Sequence, residues 1–222
     1  MSDIDLIRSA LEKSGYFFSS SYFVDKLDDL PDALLAVSGQ LGTPNKGRNS
    51  QTVEVLTPKN TDEAHRNSLS VQYGKDELPF HIDMAHQQVP SRYLAFACSC
   101  ADGQVAPTLL LEFSSIELTA SAATALESAV FLIKNGKRSF YANIKRPDAP
   151  FLRWDPGCMY PQDPSAAAVA DELSRLSCRL DVKTIDWSIG ALLVVDNWRI
   201  FHARGRVSKD HGARTLLRTT IQ

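Results

Sequence analysis

The chain has 222 residues, a formal net charge of −2, 44% hydrophobic and 23% charged residues. That length allows one domain with a substantial core, and no Gly/Ser-rich or Pro-rich linker divides it, so residues 1–222 read as a single domain. No apolar run approaches the roughly 18 residues needed to span a bilayer, and the basic residues are scattered apart from a C-terminal group, which argues against a membrane or nucleic-acid partner.

The first residues, Met1-Ser-Asp-Ile-Asp-Leu-Ile, carry acid where a secretory signal carries base, so the expected location is cytoplasmic. Residues 3–13 place Ile4, Ile7 and Leu11 at helical spacing, with Asp3 and Asp5 at the end that favours negative charge. An aromatic strand, Gly15-Tyr-Phe-Phe, follows, then a helical region over 25–40 begun or interrupted at Pro31 and stopped near Gly42. A short strand is expected over 53–56. The polar stretch 59–79 ends in the turn chemistry of Gly74-Lys-Asp-Glu-Leu-Pro79 and reads as a loop. Strands are expected over 93–100 and 108–113 around an Asp102-Gly103 turn, helices over 119–134 and 165–176, and strands over 139–144 and 151–154 between them. The chain closes with strands over 191–195, 199–203 and 214–221. Many short strands with a few helices suggest an α+β, mainly β, jelly-roll barrel flanked by helices, although periodicity alone leaves an ordinary α+β sandwich open.

The four cysteines do not form a disulfide framework. Cys98 and Cys100 are expected on one strand face, where bridging is awkward, and a zinc site there lacks further ligands at a recognisable spacing. Reduced thiols packed in the core are the expectation, Cys158 and Cys178 included.

The chemistry centres on His81-Ile82-Asp83. On an extended strand alternate side chains share a face, so His81 and Asp83 are expected together, with Phe80 and Ile82 opposite. One distant His would complete a two-His-one-carboxylate triad, which leaves positions open on Fe(II). Such a triplet is common by composition alone, so its context decides. His65, His86 and His211 read as solvated or pocket-wall residues, and Asp196-Asn197 as a turn able to support the His202 region.

That context is an ordered set: Leu78-Pro-Phe-His-Ile-Asp-Met-Ala85, Pro90-Ser-Arg-Tyr-Leu-Ala-Phe96, Pro107-Thr-Leu-Leu-Leu111, Gly190-Ala-Leu-Leu-Val-Val-Asp-Asn-Trp-Arg-Ile-Phe-His202 and Gly212-Ala-Arg-Thr-Leu-Leu-Arg218. From about residue 78 onward it resembles the taurine dioxygenase/clavaminate synthase-like superfamily of Fe(II)- and 2-oxoglutarate-dependent oxygenases. The resemblance implies a double-stranded β-helix, His81, Asp83 and His202 as catalytic iron ligands, and Thr108 and Arg214 as the grip on the distal carboxylate of 2-oxoglutarate. It also implies O2 as co-substrate, and succinate and CO2 as products. Arg fork plus hydroxyl suits such a carboxylate. Because Asp83 keeps the carboxylate position, hydroxylation of a C–H bond is expected rather than halogenation. Arg218, an even number of residues from Arg214, is assigned to an anionic group on a small, amino-acid-like substrate, with Glu77, Tyr73, Met84 and Trp198 as pocket candidates. A non-catalytic jelly-roll binding protein and a zinc hydrolase with the same three ligands remain as alternatives, and the oligomeric state stays open, a homodimer included.

Overall fold

The computed structural model describes residues 2–47, 50–176 and 182–222, so Cys178 lies outside the described residues. The N-terminal helix α1 (Asp3–Ser14) starts at a reciprocal cap between Ser2 and Asp5 and stops at Gly15, whose φ of 75° is the left-handed conformation glycine adopts without penalty. It leads into β1 (Tyr16–Ser19), then α2 (Leu30–Leu41), whose first turn holds Pro31. Next come β2 (Glu54–Leu56), a single helical turn α3 (Ser70–Tyr73), β3 (Tyr93–Ala101) and β4 (Thr108–Glu112). The middle of the chain carries α4 (Ala120–Ser128), β5 (Phe131–Ile133), β6 (Phe140–Ala142), β7 (Met159–Pro161) and α5 (Pro164–Ser174). The last strands are β8 (Lys183–Ile185), β9 (Leu192–Asp196), β10 (Ile200–Arg204) and β11 (Arg214–Ile221).

The strands form three antiparallel sheets: β1-β9-β3-β11-β2, β10-β4-β8 and β6-β5-β7. Leu94, Phe96 and Cys98 of β3, Leu193 and Val195 of β9 and Leu216 of β11 pack against Leu110, Ile185 and Ile200, so the first two sheets share one core. The alternate residues Ala95, Ala97, Leu192, Val194, Leu217 and Ile221 face the other way, onto Ile7 and Leu11 of α1 and Leu34 and Val37 of α2. Strand β9 therefore has two buried faces, which is why it reads as a continuous apolar run. Beyond the second sheet, Phe201 and Leu111 pack with Phe80 and Ile82 and with the insert of α4, α5 and β5.

Four expectations need correction. The 119–134 helix ends at Ser128, because Ala129 turns extended (ψ 130°) and the apolar Phe131-Leu-Ile133 pairs as a central strand between β6 and β7. Residues 151–154 form no strand; one bridge, Lys145↔Leu152, is all that pairs there. His81 makes a single bridge with His202 and the chain then enters a turn, with Met84 at φ 61°, so the triplet is not part of a regular strand. Finally, the register of β11 against β3 passes from Thr215↔Cys100 to Leu216↔Cys98, which skips Ser99. That extra residue in β3 puts Cys98 and Cys100 on opposite faces, Cys98 buried with Leu216. Both thiols are free, as is Cys158, and burial pushes Cys98 up to about 11.

Candidate active site

His202 lies on β10, and its backbone exchanges two hydrogen bonds of 3.0 Å with that of His81. This bridge brings the imidazoles side by side, ring centroids 4.5 Å apart. Asp83 follows two residues later, its Oδ1 3.8 Å from Nε2 of His81 and 3.7 Å from Nε2 of His202. Phe80 and Ile82, 2% and 0% exposed, anchor the triplet from behind in the core. Sequence alternation thus placed the side chains on the expected sides although the pairing is a single bridge.

Neighbouring groups hold this arrangement. Nδ1 of His81 sits 2.8 Å from the Pro79 carbonyl, which accepts from an Nδ1–H tautomer and leaves the Nε2 lone pair toward Asp83 and His202. Asn197 grips Asp83 through its backbone: Oδ1 accepts from the Asp83 N–H at 2.9 Å, and Nδ2 donates to the carbonyls of Asp83 at 3.0 Å and Ser91 at 2.8 Å. The support expected from Asp196-Asn197 for the His202 region thus falls on Asp83 instead. Arg153, buried between Phe140 and Phe151, donates to the carbonyls of Ala85, Gln87 and Gln88 and so pins the turn after Asp83.

Burial opposes the Asp83 carboxylate, yet Arg218 and the two imidazoles outweigh it and hold Asp83 well below the usual carboxylate range. His81 is pushed below its ordinary value by burial and by His202, so it is neutral and able to donate a lone pair. Asp155, a further acid in the same cavity, is raised by burial, with His81 opposing; it accepts from the Gly157 N–H at 2.7 Å.

The three side chains line a cavity of about 740 Å³, and the atoms they could offer a metal ion all fall within 4.8 Å of one another. Bonds near 2.1 Å from a shared divalent ion would draw them together with small side-chain shifts. Thr108 and Arg214 line the same cavity. The Thr108 hydroxyl oxygen accepts from Trp187 Nε1 at 3.0 Å, which leaves the hydroxyl proton to donate elsewhere. Arg214 is 8% exposed, donates from Nη1 to the Ala106 carbonyl, and keeps a buried Nε without a partner among the described residues. Burial brings it down to about 10, and Arg204 nearby adds to that. A buried guanidinium with open donors is what a carboxylate would satisfy.

Arg218 lines the cavity with Arg214, as even spacing on β11 requires. It is not an open post: Nη1 donates to Asp83 Oδ2 at 2.6 Å and Nη2 to Glu54 Oε2 on β2. Among the other candidates, Met84, His65 and His86 line the cavity, whereas Tyr73, Glu77 and Trp198 do not. The chain reverses at Gly74 (φ 50°), so Ser70, Val71, Gln72 and Leu78 face inward in place of Tyr73 and Glu77. Trp198 points to the Pro90 carbonyl and stacks near Phe151. Sequence reading missed Glu54, Asp155, Trp187 and Arg204; of these Arg204 carried a signal, two residues beyond His202 on the same strand face.

No protein-family model and no curated protein sequence matches the chain. Solved structures do. An asparagine oxygenase in complex with Fe(II), 3-hydroxyasparagine and succinate superposes with a TM-score of 0.75 over 99% of this chain and 77% of its own, at 19% identity. The likeness is one of fold, extending over nearly the whole of this chain. Other structures of similar fold are the non-haem iron oxygenase OrfP with Fe, succinate and (3S)-hydroxy-L-Arg (TM-score 0.71, 18% identity, 99% and 80% covered) and a taurine dioxygenase from Burkholderia xenovorans (0.68, 14%, 99% and 80%). The cavity just described is lined from both of the first two sheets, by Phe96, Arg214, Leu216 and Arg218 of one and Thr108, His202 and Arg204 of the other.

Proposed function

We propose that the protein is an Fe(II)- and 2-oxoglutarate-dependent oxygenase that hydroxylates an unactivated C–H bond of a small amino-acid-like substrate, built as one catalytic unit on a double-stranded β-helix. The observation that carries this reading is the pairing, in one cavity, of the His81, Asp83 and His202 ligand atoms with a buried Arg214 whose Nε has no partner among the described residues. The donor set fits the metal: two imidazoles and one carboxylate on one face suit Fe(II) and leave positions for a chelating 2-oxo acid and O2. The pocket fits the co-substrate, with Arg214 and Thr108 toward its distal carboxylate. Bound together, these groups supply oxidative decarboxylation of 2-oxoglutarate to succinate and CO2, coupled to oxidation of the substrate. The chain's own contribution is to hold the ligands, seat the co-substrate and orient the target bond. A zinc hydrolase would use the three ligands but has no need of a buried arginine on the cavity wall.

Substrate class follows from Glu54 and Arg218, a paired acid and base on the cavity wall beside Asp83. A free amino acid presents the complementary pair, its carboxylate to Arg218 and its ammonium to Glu54, in exchange for the ion pair between them. The similar asparagine oxygenase and OrfP structures hold hydroxylated amino acids, which is consistent with that class. An amino-acid panel, scored by succinate formed above the uncoupled background, tests it. Glu54→Gln should raise the apparent KM for the responding amino acid while 2-oxoglutarate binding stays intact. A panel in which no amino acid stimulates turnover removes the substrate assignment.

A further inference from the structure

Arg204 is built into the same cavity as Thr108 and Arg214. It lies on β10 two residues beyond His202, on the same face, and its Cα pairs with that of Thr108 on β4. It is 7% exposed. Its Nη2 donates to the carbonyls of Gly74 at 2.5 Å and Asp76 at 2.7 Å, and its own carbonyl accepts from the Leu78 N–H at 2.9 Å. Its Nε is buried and has no partner among the described residues. The loop it holds belongs to the segment whose Ser70, Val71, Gln72 and Leu78 line the cavity.

We propose that Arg204 is a second guanidinium for the distal carboxylate of the co-substrate, and that through residues 74–76 it ties occupancy of that pocket to the loop lining the cavity. This deepens the oxygenase reading and rests on it. Two nearly buried guanidiniums line one cavity, each with a buried Nε that has no partner among the described residues, and Arg204 disfavours the charge of Arg214, so an anion between them would relieve both. One carboxylate has lone pairs enough for both forks and for the Thr108 hydroxyl. The planar fork of Arg204 spans two tasks, with one edge on the loop carbonyls and Nε left for the ligand. Neutralising the pocket removes the repulsion, which firms Arg204 in place and with it the loop. Asp76 lies on that loop and favours the Arg204 charge from the solvent side; its carboxylate also meets Arg206 at 3.6 Å.

The test is calorimetric titration of the anaerobic Fe(II) protein with 2-oxoglutarate and with 2-oxobutyrate, which keeps the oxo acid and lacks the distal carboxylate. It is paired with hydrogen exchange of the amides of residues 75–78. Arg204→Met should weaken 2-oxoglutarate about ten- to a hundredfold, the scale of a lost hydrogen bond to a charged group, and 2-oxobutyrate by less than about twofold. Arg204→Lys, which keeps the charge and loses the fork, should recover most of the 2-oxoglutarate affinity. In the native protein 2-oxoglutarate should slow exchange of the loop amides and 2-oxobutyrate should not; in Arg204→Met neither should. Unchanged 2-oxoglutarate affinity in Arg204→Met, or equal weakening of both ligands, overturns the proposal. Should the native protein fail to prefer 2-oxoglutarate, or Arg214→Met bind it as tightly as the native protein, the oxygenase reading itself fails, and the result for Arg204 is not needed to show it.

Discussion

Asp83 is held at three points: Oδ1 toward the imidazoles, Oδ2 on Arg218, and the peptide groups on either side of its Cα on Asn197. Removing either support should loosen the metal without removing a ligand. Asn197→Ala and Arg218→Met are each expected to lower Fe(II) affinity about 10- to 100-fold, the scale for lost partners of metal ligands, measured by anaerobic competition with a chelating dye. Equal affinity in both variants would show that Asp83 needs neither. At the co-substrate, Arg214→Met should cost about 2–5 kcal/mol of 2-oxoglutarate binding. Thr108→Ala should cost less, about 1.5–3 kcal/mol. At this scale the sequence displayed residue types but not pairings. His81, Asp83, Thr108, His202 and Arg214 stood out by kind and order, whereas the grip of Asn197 on Asp83 and of Arg218 on Glu54 joins residues 114 and 164 positions apart, which no local pattern reports.

Strand β11 sets the cavity's basic side, and its regularity depends on where the irregular residue went. With Ser99 as the extra residue in β3, β11 runs unbroken and Arg214, Leu216, Arg218 and Thr220 all face the cavity. Gly212 prepares that strand: a Cβ there would lie 1.6 Å from the Asp102 carbonyl oxygen, so the backbones where β3 ends and β11 begins touch as only glycine allows. Gly212→Ala is expected to destabilise by about 1–3 kcal/mol, the cost of forced overpacking, and to weaken 2-oxoglutarate binding through Arg214. A native melting temperature in that variant would contradict the close approach. Elements with a strong period, such as α1, or a long apolar run, such as β3 and β9, were readable, while β7 and β8, three residues each, fall below the length at which alternation can be seen. The α4 boundary was missed because Ala-rich helix runs directly into an apolar strand with no glycine or proline between them.

Across the molecule, the buried centre makes stability depend on pH. His81 lies below its ordinary value of 6.5, so the unfolded chain takes up a proton there before the folded one does. Metal-free protein should therefore be most stable above about pH 6.5 and lose stability as pH falls below it, with Asp83, held low, adding a further loss only in strong acid. Denaturant unfolding at stepped pH should show this decline, reduced in His81→Gln; a flat profile in the native chain would contradict it. The order of motifs along the chain made a fold of short antiparallel strands with a few helices legible, and the His81–His202 bridge sets two of the site's side chains along the edge strand β10. The cavity's lining was not legible, since it depends on where the 59–79 segment turns back at Gly74. The most direct test of the central claim is conversion of 2-oxoglutarate to succinate by purified protein under air, with Fe(II) or Zn(II), in the native chain and in His202→Ala. The account predicts succinate from the native protein with Fe(II) alone and none from His202→Ala; no iron-dependent succinate, or equal rates in the two proteins, would contradict it.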